Sequence, residues 1–120
     1  MSLREHLERH GDWKGQLTVV NSHFRRSSSA RFHFAMRKRI IYGTPHVVEA
    51  KLDTIYFFWE YKRKSITLLD FFIEKYGYTV RNPQDYAIVF TSDPLKFYPA
   101  ELLYFNNIEE FSRYNSIHTE

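Results

Sequence analysis

The clearest hydrophobic pattern in the chain runs from Ser65 to Val80, SITLLDFFIEKYGYTV. At about 100° per residue, Leu68, Leu69, Phe72, Ile73 and Tyr76 share one face, with Asp70 and Glu74 opposite. Thr67 and Asp70, three residues apart, supply a capping hydroxyl and a first-turn acid. Gly77 supplies the stop, because glycine accepts the left-handed conformation that ends many helices. The pattern therefore predicts a helix between them. Phe71 and Lys75 are i,i+4 neighbours on its flank. A ring beside an ammonium suits a ligand with both aromatic and phosphate parts. The plainer alternative makes Phe71 peripheral core and Lys75 a solvated charge.

Elsewhere the pattern is shorter in range. Ser2 and Glu5 have capping-box spacing and Gly11 follows, which predicts a helix over 2–10. His6 and His10 stand at i,i+4 within it; with no third ligand evident, they read as two exposed histidines. Leu17 to Val20 is a strand candidate, and 21–31, NSHFRRSSSAR, reads as a serine-rich loop with a basic edge. Further strands are expected at 32–36, within 37–42 and at 47–52. In IYFFWE, period two sets Ile55, Phe57 and Trp59 on one side and Tyr56 and Phe58 on the other. Both sides are apolar, so each should be covered by protein or by ligand. Turns follow at 61–64 and at Asn82-Pro83, then a buried strand at 87–90. Pro99 cannot donate to a ladder, so 95–105 reads as a strand end followed by a helical turn. A short helix is expected from Asn107. The sum is an α+β domain, a small barrel with a hairpin–helix insertion.

Composition narrows this picture. The 120 residues suit one domain, and a 43% apolar content suffices for a packed core. Aromatics reach 18%, more rings than a small core easily hides. With no cysteine, disulfides, thiolate zinc sites and cysteine catalysis are excluded. No apolar run approaches the ~18 residues of a membrane span, and no secretory segment follows Met1. The charge is +3. A first basic group comprises Arg25, Arg26, Arg31, Arg37, Lys38 and Arg39, and a second comprises Lys62, Arg63 and Lys64. Such clusters suit a polyanion or are simply solvated loops.

No nucleophile elbow, P-loop, zinc-protease helix or dinucleotide turn is present, and 4 glycines are few for a phosphate-cradling loop. An enzyme would need a clustered pair of titratable groups, and none is evident. What recurs is cations beside rings: His23, Phe24, Arg25, Arg31, Phe32, Phe58, Phe71, Lys75, Tyr76, Lys96, Phe97 and Tyr98. Single-stranded nucleic acid binds by this combination, through bases stacked on rings and phosphates held by cations.

These residues carry a resemblance to the PAZ domain of Argonaute, Piwi and Dicer proteins. SITLLDFFIEKYGYTV resembles that family's hairpin-to-helix segment, and Phe58, seven residues before Ser65, stands where the family has a phenylalanine. LKFYPAELLYF resembles its closing strand and turn. LTVVNSH, Leu17 to His23, resembles the first barrel strand, which ends in a ligand-contacting histidine. The span from Phe58 to Tyr104 is the specific part.

The resemblance implies a partly open OB-like (SH3-like) β-barrel with an inserted β-hairpin plus helix, flanked by short terminal helices. The expected boundaries are 1–15 for an N-terminal helix or linker, 16–105 for the barrel with its insertion at about 55–80, and 106–120 for a C-terminal helix or linker. It implies a cleft that holds the 3′ end of a single-stranded small RNA without cofactor, metal or chemistry. Phe58 would stack on the terminal nucleotide; His23, Lys75 and Tyr76 would meet phosphate; Phe97 and Tyr98 would line the floor. Phe32 and His33 stand nearest to the family's early Tyr-Arg pair. The chain would be a monomeric module of a larger Argonaute-type protein, cytoplasmic or nuclear, lacking the cleaving domain. The alternative is a domain of the same fold that has lost RNA binding and serves protein contacts.

Phe71 occupies a position where many relatives have tyrosine, whose hydroxyl holds a phosphate. The resemblance therefore predicts weaker 3′-end binding than in a typical member, and Phe71→Tyr should strengthen it. A titration with labelled RNA that finds the affinity unchanged in Phe71→Tyr counts against this.

Overall fold

The computed structural model describes residues 1–9, 11–26, 30–37 and 39–105. Among these residues there are three α-helices, α1 (Leu3–Glu8), α2 (Leu17–Arg26) and α3 (Leu68–Tyr76). They are set among eight strands. β1 (Ala30–Phe34) is central in one antiparallel sheet, between β2 (Arg39–Gly43) and β8 (Leu103–Phe105). β6 (Tyr86–Phe90) is central in a second, between β3 (Pro45–Lys51) and β7 (Asp93–Tyr98). β4 (Tyr56–Trp59) and β5 (Lys64–Thr67) form a separate hairpin that leads directly into α3. The mixed α+β character expected from the pattern is present, and the paired strands of the described residues form two three-stranded sheets and a hairpin. The helix expected from Asn107 lies outside the described residues.

The two sheets meet through rings. Phe32, on the central strand β1, lies 5.6 Å from Phe90 of β6 and 5.0 Å from Phe105 of β8, centroid to centroid. Phe34, two residues on and on the same face, meets Tyr98 at 5.1 Å and Phe72 at 6.3 Å, both edge-on. One face of β1 therefore joins the second sheet to α3. The crossing from β2 to β3 takes a single residue, Thr44, and depends on Gly43 with φ +123°. A Cβ there would stand 3.1 Å from Ser92 Oγ, which itself donates to the Tyr42 carbonyl at 2.7 Å.

α3 is built as its sequence predicts. Thr67 Oγ1 accepts from the Asp70 N–H at 3.1 Å, and Gly77 closes the helix in the left-handed region. Its buried stripe is Leu68 and Phe72, however, and Ile73 is exposed. The covered face is turned toward Phe71, because the β4–β5 hairpin packs on that side.

α1 carries the expected capping box between Ser2 and Glu5. Leu3, Leu7 and Trp13 are fully buried, so the segment read as helix or linker belongs to the packed core. His6 is also buried, edge-on to Phe105 at 5.6 Å, and is not the exposed histidine that the spacing suggested. His10 lies outside the described residues. An ionic tie reinforces this end: Asp85, buried at the start of β6, faces Arg4 at 2.6 Å and Lys14 at 2.7 Å.

The largest departure is at 17–26. The expected strand over Leu17 to Val20 and the loop after it are one helix, α2. Leu17, Val20, Asn21 and Phe24 follow the i, i+3, i+4, i+7 spacing of a helical stripe, and the last three are buried. The polar Asn21 hides this stripe from a reading of apolar residues alone. Its side chain replaces a neighbouring strand at the edge of β3. Nδ2 donates to the Val47 carbonyl at 3.0 Å, and Oδ1 accepts from the Val47 N–H at 2.8 Å.

Truncating Asn21 would strand a buried backbone donor and acceptor. Asn21→Ala should lower stability by about 2–6 kcal/mol in denaturant unfolding, from roughly 1–3 kcal/mol for each of the two groups left unpaired. A loss below ~0.5 kcal/mol would show that water replaces both bonds.

Candidate functional site

A cleft of about 450 Å³ opens between the hairpin–helix unit and the ends of both sheets. Its size falls in the ~300–1,000 Å³ range of small-ligand sites. Phe71, Lys75 and Tyr76 of α3 form one wall, and Phe57, Phe58 and Trp59 of β4 form another. β7 contributes Leu95, Lys96, Phe97 and Tyr98, and Phe34, Arg37 and Arg39 close the side where β1 turns into β2.

Phe71 fixes the geometry. Its ring is edge-on to Phe57 at 5.1 Å and to Trp59 at 4.9 Å, on the inner face of the hairpin. Phe57 and Trp59 share that face because β4 has period two. The ladder pairs Phe58 with Ser65 and Tyr56 with Thr67, all directed the other way. Phe58 is 53% exposed at the cleft's lip. Across the opening, Tyr76 and Tyr98 both stand edge-on to Phe34, at 6.0 Å and 5.1 Å.

Among the described residues the charge on this aromatic frame is entirely positive: Arg37, Arg39, Lys75 and Lys96 line the cleft, and no carboxylate does. Lys96 has a loose ion pair with Asp93 at 3.8 Å. Lys75, Arg37 and Arg39 form no ion pair among the described residues. The Lys75 ammonium lies 5.2 Å from the Phe71 centroid and 5.4 Å from that of Tyr76. Burial against these rings holds its pKa below the ordinary lysine value, and repulsion from Arg37 and Lys96 adds to the effect. Burial likewise pushes the Tyr98 phenol above its usual value, with Asp93 and Tyr76 adding and Arg39 and Arg37 opposing. The phenol stays a neutral donor at physiological pH. Chemically, the cleft offers ring faces and edges, phenols, and cations of which three lack an anion among the described residues.

Six of the sequence-predicted contact residues therefore meet in one place: Phe58, Phe71, Lys75, Tyr76, Phe97 and Tyr98. Arg37 and Arg39, expected only as basic surface, join them. Three others stand elsewhere. His23 lies on α2, in a separate pocket with Trp13 and Phe24, because its segment is a helix and not the first barrel strand. Phe32 is 0% exposed and forms the joint between the sheets. His33 faces away from Phe32 and Phe34 on β1, paired with Tyr104 and Ile40. Arg25 and Arg26 end α2, Arg31 pairs across from Tyr42, and Lys38 is outside the described residues. Phe34, Phe57, Trp59 and Leu95 were missed as lining residues. For Phe57 and Trp59 the signal was present in the period-two face of β4. For Phe34 and Leu95 no local signal exists.

Among the described residues, no group of three metal-ligating side chains occurs, and no helix is long and apolar enough to cross a membrane.

Fold and cleft together define a PAZ-like architecture. One solved structure that shares it is that of the Drosophila Argonaute 2 PAZ domain, in work on its recognition of nucleic-acid 3′ ends. The two superpose with a TM-score of 0.62, over 92% of this chain and 96% of that one, at 14% sequence identity. At that identity the likeness is one of fold. No family matches the chain by sequence, and no curated protein does.

Only a protonated Lys75 attracts phosphate, so affinity for a phosphate-bearing ligand should begin to fall in the alkaline range below the lysine value of 10.5. Removing the repulsion with Arg37→Gln and Lys96→Gln should move the Lys75 titration back upward, read from its side-chain NMR shifts. An unchanged midpoint would assign the whole depression to burial.

Proposed function

We propose that this chain is a binding module that anchors the 3′ end of single-stranded small RNA in its aromatic and basic cleft, as part of an Argonaute-family RNA-silencing protein. The observation that carries the reading is the convergence of three cations without an ion pair among the described residues, and a fourth loosely paired, on a ring-lined cleft large enough for a terminal nucleotide. Rings take bases of any identity, and cations and phenols take phosphate oxygens, so such a site reads terminus and shape more than sequence. The PAZ-like fold supports the same ligand class, since the Drosophila domain that shares it recognises nucleic-acid 3′ ends. On this reading the two sheets are halves of a partly open OB-like barrel, and the hairpin–helix unit is the arm that closes over the strand's end. Phe58 stacks on the last base, and Lys75, Arg37 and Arg39 hold backbone phosphates. The module does no chemistry of its own, and works in the cytoplasm or nucleus.

The test is binding of a short labelled single-stranded RNA, compared with the same RNA blocked by a 3′ phosphate and with a closed circle of equal length. The linear, free-ended RNA should bind best, and the affinity should fall with salt because cations hold the backbone. Phe58→Ala should cost about 1–3 kcal/mol of binding, the contribution of one base stack. Lys75→Ala should weaken binding and flatten the salt dependence. Both side chains are exposed, so neither change threatens the fold. Equal binding of linear and circular RNA would reduce the cleft to a basic surface. No binding at moderate salt would leave a scaffold of PAZ-like fold that serves protein contacts.

A further inference from the structure

We propose that the outer face of the β4–β5 hairpin continues the cleft as a stacking surface for the nucleotides that precede the 3′ end, with Tyr56 as its platform on one side of Phe58 and with Lys62 and Arg63, at the turn on the other side of Phe58, holding phosphates.

The proposal rests on the RNA reading of the cleft and extends it. Period two makes both faces of β4 aromatic, and only one of them is covered. Phe57 and Trp59 pack on Phe71, while Tyr56 is 76% exposed and Phe58 53%; Tyr61, in the turn, lies 6.3 Å from Trp59 of the covered face. The cross-strand partners on the bare side are Thr67 and Ser65, short hydroxyl residues that leave the rings uncovered. Tyr56 and Phe58 are two residues apart on one face, about 7 Å along the strand. Phe58 also lines the cleft, so the bare face begins where the cleft ends.

Charge favours a nucleic acid over a protein partner here. Lys62 and Arg63, at the hairpin turn, have no ion pair among the described residues, and the Lys62 ammonium sits 5.5 Å from the Tyr61 centroid. Lys64 is already neutralised by Glu74 at 2.9 Å, which leaves the turn's own two cations for phosphates. Exposed rings with cations a few residues away are what a single strand needs to follow a surface.

The experiment measures how affinity grows with RNA length. A 3′-terminal fragment of about two nucleotides reaches only the cleft, whereas one of about eight reaches the hairpin face, within the usual 4–16-nucleotide site sizes. In the unaltered chain the longer RNA should bind more tightly. Tyr56→Ala should lower affinity for the longer RNA roughly five-fold or more and leave the short fragment unchanged, while Tyr56→Phe keeps the gain, because a ring and not a hydroxyl is required. Lys62→Gln with Arg63→Gln should reduce the salt slope for the longer RNA alone. If Tyr56→Ala keeps the full gain with length while the short fragment still binds through its 3′ end, this proposal is overturned and the cleft reading stands; the bare face then belongs to a protein partner. If the short fragment shows no dependence on its end, the cleft reading falls and this one falls with it.

Discussion

The Phe71 ring, held edge-on between Phe57 and Trp59, is the contact on which the candidate site depends. A two-stranded hairpin is marginal in water and needs a surface to pack against. Here α3 supplies it. The strand-to-helix junction is tied by the Thr67 cap and by the Leu68 N–H to the Ile55 carbonyl, and the far end of the strand by Lys64 to Glu74. With the hairpin clamped to the helix, the pair forms a rigid arm facing the ends of the two sheets. Without that clamp there would be no second wall, and the cations of β2, β7 and α3 would belong to separate surfaces.

Those cations are costly to gather. Lys75 shows the strain directly, its charged form disfavoured by burial and by the neighbouring Arg37 and Lys96. The firm build of the rest of the domain holds such like charges together, and an anion among them would relieve their repulsion. The aromatic frame contributes in the same direction. Rings exclude water on one side of each cation, which lowers the local dielectric and strengthens whatever phosphate contact forms.

The firmness comes from polar anchors placed away from the cleft. Asn21 pairs with both backbone groups of Val47 and covers the edge of β3. Asp85 draws Arg4 and Lys14 onto the start of β6. Glu101, in the turn between β7 and β8, accepts from the Tyr78 hydroxyl and from the N–H groups of Arg81 and Asn82, which pins the loop after α3. Tyr78 is pushed up to about 12 as a result of burial and of this bond.

The sequence alone determined what local rules govern. The cap, stripe and stop of α3, the capping box of α1, the two-faced aromatic strand β4, the turn after Pro99 and the absence of thiol chemistry were all legible, because each is set by residues within a few positions of one another. The six sequence-predicted residues that converge on the cleft lie in or beside that local hairpin–helix–strand framework. Tertiary structure decided the rest. The strand expected at 17–20 became a helix because its stripe is completed by Asn21, a polar residue whose burial is justified only by a backbone 26 positions away. His23 left the site with it. Phe32 and Phe34 carry the same local signal, yet one is sealed between two sheets and the other lines the cleft, a difference fixed by Phe105 and Phe90 on one side and Tyr76 and Tyr98 on the other. Burial and electrostatic coupling are sums over neighbours distant in the chain, and no periodicity within a segment encodes them.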